Sequence, residues 1–306
     1  MNFNYFLVRL MQPFNITPKD FIVETTNICN LKCVGCDNKL IKSKGELSLN
    51  NYKKILKQLE KLKAKSIAFD LGGEPLLNEN TLKMVKLASQ KGIKTFFSSN
   101  ATFLDKFETQ VFDSGLDTIM LDLDGMSNRT YSKFRKNGDF TKVINNIKNF
   151  CLKKKALKTK KPQIILNYIV TKYNEKEIPK AISFCKEYNI NYLLLKKLHS
   201  MIIEPANVLK LLPENKKFQR DTKKTKRTIC DFIFNKAVIR WNGQMGLCCY
   251  DIKGEYNFGT VKGKKIIELL KSKTCKERQK KIVNREFPLC KSCTQGQDFG
   301  EFIKID

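Results

Sequence analysis

Three cysteines fall within eight residues, Cys29-Asn-Leu-Lys-Cys33-Val-Gly-Cys36, a C-x3-C-x2-C spacing. Thiolates so close together can grip one compact inorganic centre. A structural zinc normally takes four ligands, and a cubane iron–sulfur cluster usually takes four cysteines. Three leave a coordination position open, which is what a catalytic centre needs; a zinc site with a remote fourth ligand stands as the alternative. A second set, Cys230, Cys248, Cys290 and Cys293, has the number to complete either a cluster or a zinc shell, and Cys249 beside Cys248 leaves the register open. The chain has 11 cysteines and no recognisable export signal, so metal or redox chemistry is expected ahead of disulfides. Cys151, Cys185 and Cys275 are left over; Cys185, on a helix face near Ile182 and Phe184, reads as core.

The segment Glu24-Thr-Thr-Asn-Ile-Cys29-Asn-Leu-Lys-Cys33-Val-Gly-Cys36 resembles the signature of the radical S-adenosylmethionine (SAM) superfamily, and Leu71-Gly72-Gly73-Glu74-Pro75-Leu76 resembles its second hallmark. The resemblance implies a [4Fe–4S] cluster on Cys29, Cys33 and Cys36, with the SAM amino and carboxylate groups on the open iron. One electron then splits SAM into methionine and a 5′-deoxyadenosyl radical, which abstracts hydrogen from a substrate. It further implies that Gly73 and Glu74 hold the methionine amino group. The residues themselves fit: Gly72 and Gly73 let backbone approach a ligand closely, and Glu74 suits an ammonium. Ser99 and Asn100 are implied near the ribose. Asp122, in Asp122-Leu-Asp124-Gly125, stands where relatives often carry Ser. Arg135 matches an arginine that approaches the SAM carboxylate, and Val170–Asn174 would lie near adenine. The second cysteine set resembles the Twitch form of the SPASM auxiliary domain, which implies one auxiliary [4Fe–4S] cluster on Cys230, Cys248, Cys290 and Cys293; the further C-x2-C-x5-C-x3-C set of the longer form is not found. Such a cluster can accept the second electron of a substrate oxidation.

Positioning this chemistry requires a scaffold, and the apolar periodicity supplies one. Strands are expected at Phe21–Thr25, Ser66–Leu71, Ile93–Ser98, Thr118–Leu123, Gln163–Val170 and Tyr192–Lys196. Between them lie helices: one capped by Ser48 with Tyr52, Ile55, Leu56, Leu59 and Leu62 in phase, one ending at Gly92, then Phe103–Ser114, Phe140–Leu152 and Lys176–Tyr188. Alternation of this kind predicts an α/β fold, a partial (β/α)6 TIM-like barrel, with chemistry at the strand C-terminal ends. After the Lys-rich stretch Pro213–Arg227, Asn242-Gly243 between two apolar runs predicts a hairpin, followed by one helix over Ile266–Lys281. The expected organisation is an N-terminal extension (1–20), a core (21–212) and a small Cys-rich hairpin-plus-helix auxiliary domain (228–306).

Composition narrows the function. The 306 residues are 42% hydrophobic, enough for a large core. The net charge is +28, but the basic residues are mostly Lys and spread along the chain, as in AT-rich genomes, so nucleic acid is not expected as a partner. No apolar run reaches the 18–20 residues of a membrane span, and the N-terminus lacks a basic region before its apolar stretch, so a cytoplasmic protein is expected. His199, the sole histidine, reads as a surface or core residue, and no acid or base is assigned. The resemblance, in cluster arrangement to the dehydrogenases of aminocyclitol biosynthesis, implies oxidation of a sugar- or cyclitol-type small molecule, with a flavodoxin or ferredoxin as reductant. Modification of a peptide or protein side chain is the alternative, and a Lys-rich zinc protein that associates with RNA is the rival of another class.

Overall fold

A computed structural model describes residues 17–198, 209–219, 230, 232–291, 293 and 299–305. His199, the first 16 residues and much of the Lys-rich stretch lie outside the described residues.

Six parallel strands alternate with helices as the periodicity predicts. β1 (Asp20–Val23) leads to α1 (Leu49–Lys61), whose first turn is capped by the Ser48 hydroxyl accepting from the Asn51 amide. Tyr52, Ile55, Leu56 and Leu59 bury one stripe of α1. β2 (Ser66–Ala68) closes three residues earlier than expected. α2 (Thr81–Gln90), β3 (Lys94–Ser99), α3 (Leu104–Asp113) and β4 (Thr118–Asp122) follow. The short α4 (Asn128–Phe134), capped by Ser127, has too few turns to register as a periodicity. α5 (Phe140–Ala156), β5 (Gln163–Val170), α6 (Ile178–Glu187) and β6 (Tyr192–Lys197) complete the barrel.

The C-terminal region is built into the same sheet. α7 (Phe232–Asn235) runs into β7 (Lys236–Ile239), which pairs in parallel with β1. β8 (Gln244–Gly246) pairs antiparallel with β7, and β9 (Gly259–Thr260) with β8. The expected hairpin is present, but its loop has three residues. The Arg240 amide donates to Gln244 O and the Gly243 amide to Arg240 O, with Gly243 at φ +86°, the bulged alternative to a two-residue turn. The helix expected over 266–281 is two, α8 (Ile266–Lys271) and α9 (Lys273–Val283). Ser272 breaks them: its hydroxyl donates to Leu269 O at 2.7 Å and accepts from the Cys275 amide at 3.2 Å, ending one helix and capping the next. After α10 (Pro288–Lys291), β10 (Gly300–Lys304) pairs antiparallel with β6. The sheet order is β10-β6-β5-β4-β3-β2-β1-β7-β8-β9. The core lies between sheet and helices, around Phe21, Ile67, Phe97, Ile119, Leu166 and Leu193; Cys151, Cys185 and Cys275 are buried in it as free thiols.

Candidate active site

Successive side chains of a strand point to opposite faces. Near the strand C-terminal ends, Phe69, Phe97, Leu121, Leu166 and Leu195 point into the hydrophobic core. Their neighbours Asp70, Ser98, Asp122, Asn167 and Lys196 line an open cavity of 560 Å³. Hydrogen bonds tie this floor together sideways. Asp70 Oδ2 accepts from the Ser98 amide at 2.7 Å, Ser98 Oγ donates to Asp122 Oδ1 at 3.2 Å, and Asn167 Nδ2 donates to the same oxygen at 2.8 Å. Asn167 Oδ1 is buried and accepts no hydrogen bond. Burial pushes the Asp70 carboxyl up to about 6; the Ser98 amide opposes that rise, the Asp122 charge adds to it, and Lys196 opposes it.

Cys29, Cys33 and Cys36 line the same cavity, as free thiols. Their loop is held from both sides. The Lys32 amide donates to Lys136 O and the Val34 amide to Phe134 O, each at 3.0 Å. The Asn38 side chain donates to Asn27 O at 2.8 Å and also to Gly72 O. Burial raises the Cys29 thiol, and raises Cys33 to about 12 against the lowering effect of Arg135. These thiols therefore need a positive centre to ionise, and a bound metal removes such protons. Among the described residues no three His, Cys, Asp or Glu side chains are grouped to hold a single metal ion. A cubane puts each thiolate on a different iron and so spreads the sulfurs further than ligands about 2.3 Å from one zinc. Three cysteines on one cavity wall, beside open space, fit such a cluster.

The Gly72–Glu74 segment serves the loop more directly than the cavity. A Cβ on Gly73 would stand 2.5 Å from Thr26 O and 2.6 Å from Ile28 O, so its lack of a side chain lets two backbones touch. The Glu74 amide donates to Ile28 O at 2.8 Å. The Glu74 carboxylate is buried, and the protein engages both its oxygens: Oε1 accepts from Ser99 Oγ at 2.8 Å and the Leu76 amide at 3.1 Å, and Oε2 accepts from the Asn100 amide at 2.8 Å. Burial pushes its carboxyl up to about 7 against these hydrogen bonds. Gly72, Gly73 and Glu74 line the cavity; Ser99 does not, because strand alternation turns it outward to Glu74 and brings Ser98 inward instead. Asn100 lines the cavity, with Nδ2 donating to Asn30 Oδ1 at 2.9 Å, one residue from Cys29.

Arg135 is 8% exposed, just beyond α4. Its Nε meets Asp124 Oδ2 at 2.5 Å, its Nη2 meets Asp122 Oδ2 at 3.2 Å, and its Nη1 donates to Cys33 Sγ at 3.7 Å. Asp124 is completely buried and also accepts from the Ile169 amide at 2.6 Å. Within the segment Val170–Asn174, Asn174 is buried: its side chain donates to Asp124 O and Ile169 O and braces the turn. Asp70, Asn167 and Lys196 escaped the sequence reading. The signal for Asn167 was available, an amide side chain interrupting the apolar run 164–170.

The second cysteine set converges too. Cys230, Cys248 and Cys293 all act electrostatically on Cys290, and burial raises Cys230 to about 11 and Cys290 to about 12. Cys249, hydrogen-bonded to Cys248, instead lines the barrel cavity with Tyr250 and Ile252. The C-terminal region therefore forms one wall of that cavity.

A barrel with three cysteines at the mouth and a four-cysteine module against it defines a class of two-centre metalloprotein. Residues 23–190 match the radical SAM superfamily and residues 230–294 match the SPASM iron–sulfur cluster-binding domain. The chain belongs to the radical SAM superfamily, with a SPASM domain at its C-terminal side. Membership implies SAM, a [4Fe–4S] cluster and auxiliary iron–sulfur as its cofactors. A curated relative from Pyrococcus furiosus, the tungsten-containing aldehyde ferredoxin oxidoreductase cofactor-modifying protein, is 24% identical over 94% of this chain and 90% of its own. Among solved structures, BtrN in complex with AdoMet and 2-DOIA has a TM-score of 0.57 at 15% identity, covering 92% of this chain and 94% of that one. Streptococcus suis SuiB bound to precursor peptide SuiA has a TM-score of 0.66 at 15% identity, covering 94% and 74%. Among the described residues no helix is long and apolar enough to cross a membrane.

Proposed function

We propose that this radical SAM enzyme oxidises a hydroxylated small molecule held on the polar floor of the barrel. The observation that carries the reading is that floor: Asp70, Ser98, Asp122, Asn167 and Lys196 face a cavity of 560 Å³, with a buried acceptor, Asn167 Oδ1, free to receive a hydroxyl. Cys29, Cys33 and Cys36 would hold the cluster that binds SAM, and Cys230, Cys248, Cys290 and Cys293 the auxiliary cluster. When bound, these groups supply one-electron cleavage of SAM and a sink for the substrate's second electron. The chain's own residues do the rest. Asp70, ionised above pH 6, is placed to take the hydroxyl proton; Lys196 across the floor keeps that charge compensated. Arg135 orients the Cys33 sulfur while tied to Asp122 and Asp124. Tyr250 and Ile252 narrow the mouth and limit water.

The name of the Pyrococcus furiosus relative, which concerns a cofactor, supports a cofactor-sized polar target. Likeness to SuiB with its precursor peptide supports peptide modification as the second reading. The test is anaerobic purification followed by reduction with dithionite in the presence of SAM. The reading expects brown protein with about eight iron and eight sulfide, if both clusters are cubanes, and release of 5′-deoxyadenosine. A panel of deuterated polyols, cyclitols and peptides then reports which one passes deuterium into that product. Colourless protein with stoichiometric zinc refutes the cluster assignment; label from peptides alone refutes the small-molecule assignment.

A further inference from the structure

The loop that carries Cys33 has a second side. Cys33 and Val34, which line the barrel cavity, also wall a second recess of 340 Å³. Lys32, Lys133, Lys136 and Lys210 surround it, all exposed, and among the described residues no acidic or arginine side chain lines it. None of these four ammonium groups forms a salt bridge among the described residues. Tyr173 stands 39% exposed at the edge, with Lys133 Nζ at 5.5 Å and Lys172 Nζ at 5.3 Å from its ring centroid. The backbone bonds that pair the cysteine loop with residues 134–136 hold Lys32 and Lys136 side by side.

Positive charge alone selects nothing on a chain of net charge +28. What singles this patch out is that an inferred cluster ligand, Cys33, forms part of its wall as well as part of the cavity where SAM and substrate would sit. We propose that the recess is the docking surface for a small acidic one-electron carrier of the ferredoxin type. Charge complementarity would steer the carrier in, and Tyr173 would give it an apolar anchor. In the transfer, the carrier is oxidised by one electron and the cluster on Cys29, Cys33 and Cys36 is reduced by one; no bond forms or breaks and no proton moves. A nucleic acid is the other polyanion to weigh, but the described residues that line the recess include no arginine and one aromatic ring, Tyr173, which argues against a base-stacking groove.

This inference rests on the radical SAM reading of Cys33. Its test compares the holoprotein with the double variant Lys133→Glu/Lys136→Glu, neither residue being a cluster ligand or on the cavity floor. Two electron sources are used without substrate: dithionite, and an acidic plant-type ferredoxin kept reduced by its NADPH-linked reductase. Calorimetry measures ferredoxin binding at low and high salt. The proposal expects ferredoxin-driven release of 5′-deoxyadenosine to fall tenfold or more. Binding should weaken and lose its salt dependence, while the dithionite-driven rate stays within twofold. Equal loss with both donors, or no loss with either, overturns it. So does a 20-nucleotide RNA that binds more tightly than ferredoxin and loses that affinity in the variant. Wild-type protein inactive even with dithionite refutes the SAM-cleavage reading instead, and the calorimetry then decides the docking surface by itself.

Discussion

At the scale of residues, the carboxylates of Glu74 and Asp70 behave oppositely because their oxygens are used differently. Glu74 accepts hydrogen bonds on both oxygens. Glu74→Gln must turn an NH2 toward a donor, so it should cost about 1–3 kcal/mol, read as a lowered urea midpoint. Asp70 accepts the Ser98 amide on Oδ2, and Asn can still accept there. Its folded value of about 6 lies above that of an exposed aspartate, so the stability it confers is full below pH 4 and is lost as pH rises through 6. Asp70→Asn should therefore raise stability at pH 8 by about 1–3 kcal/mol, read as a higher thermal midpoint, and the gain should vanish by pH 4. An equal gain at both values would refute the assignment. Arg135 is a harder case, since Arg135→Gln leaves Asp124, which has no exposed surface, without its cation. Breaking such a buried pair from one side costs about 3–5 kcal/mol. A variant within 1 kcal/mol of wild type in chemical unfolding would contradict the pairing.

At the scale of elements, the cysteine loop depends on backbone contact more than on side chains. A methyl group at Gly73 would meet backbone at 2.5–2.8 Å, whereas at Gly92, with φ +71°, it would meet nothing within 4 Å. Gly73→Ala should displace the loop and lower bound iron at the first cluster while leaving far-ultraviolet circular dichroism intact. Gly92→Ala should cost about 1 kcal/mol through its backbone conformation and keep its iron. Iron content of the two variants, measured side by side, separates these outcomes; equal iron would mean that the loop tolerates the shift. The same contrast explains what the sequence made legible. Helices with caps and phased stripes, such as Leu49–Lys61 with Ser48, were readable in full. The strand Gly300–Lys304 was not, because its evidence is a partner, the edge of β6, rather than a pattern of its own.

At the scale of the whole molecule, the C-terminal region adds strands to both edges of the barrel sheet and presents Tyr250 and Ile252 to the cavity, so the two cysteine sets belong to one unit. A division of labour follows from their placement. Cys33→Ala should abolish release of 5′-deoxyadenosine, and Cys290→Ala should spare part of it while losing product. Equal loss in both, assayed with dithionite, would count against separate roles. The spacing of Cys29, Cys33 and Cys36, with the glycines and Glu74, determined the superfamily, since ligand type and count are written in the chain. The alternating strands determined the barrel for the same reason: burial periodicity is local. Tertiary structure alone decided which polar residues share the floor, that Ser98 rather than Ser99 faces inward, and that Cys248 joins the second set while Cys249 turns to the cavity. Each of those depends on the face a neighbouring strand or loop covers, and contacts between residues dozens of positions apart leave no spacing to read.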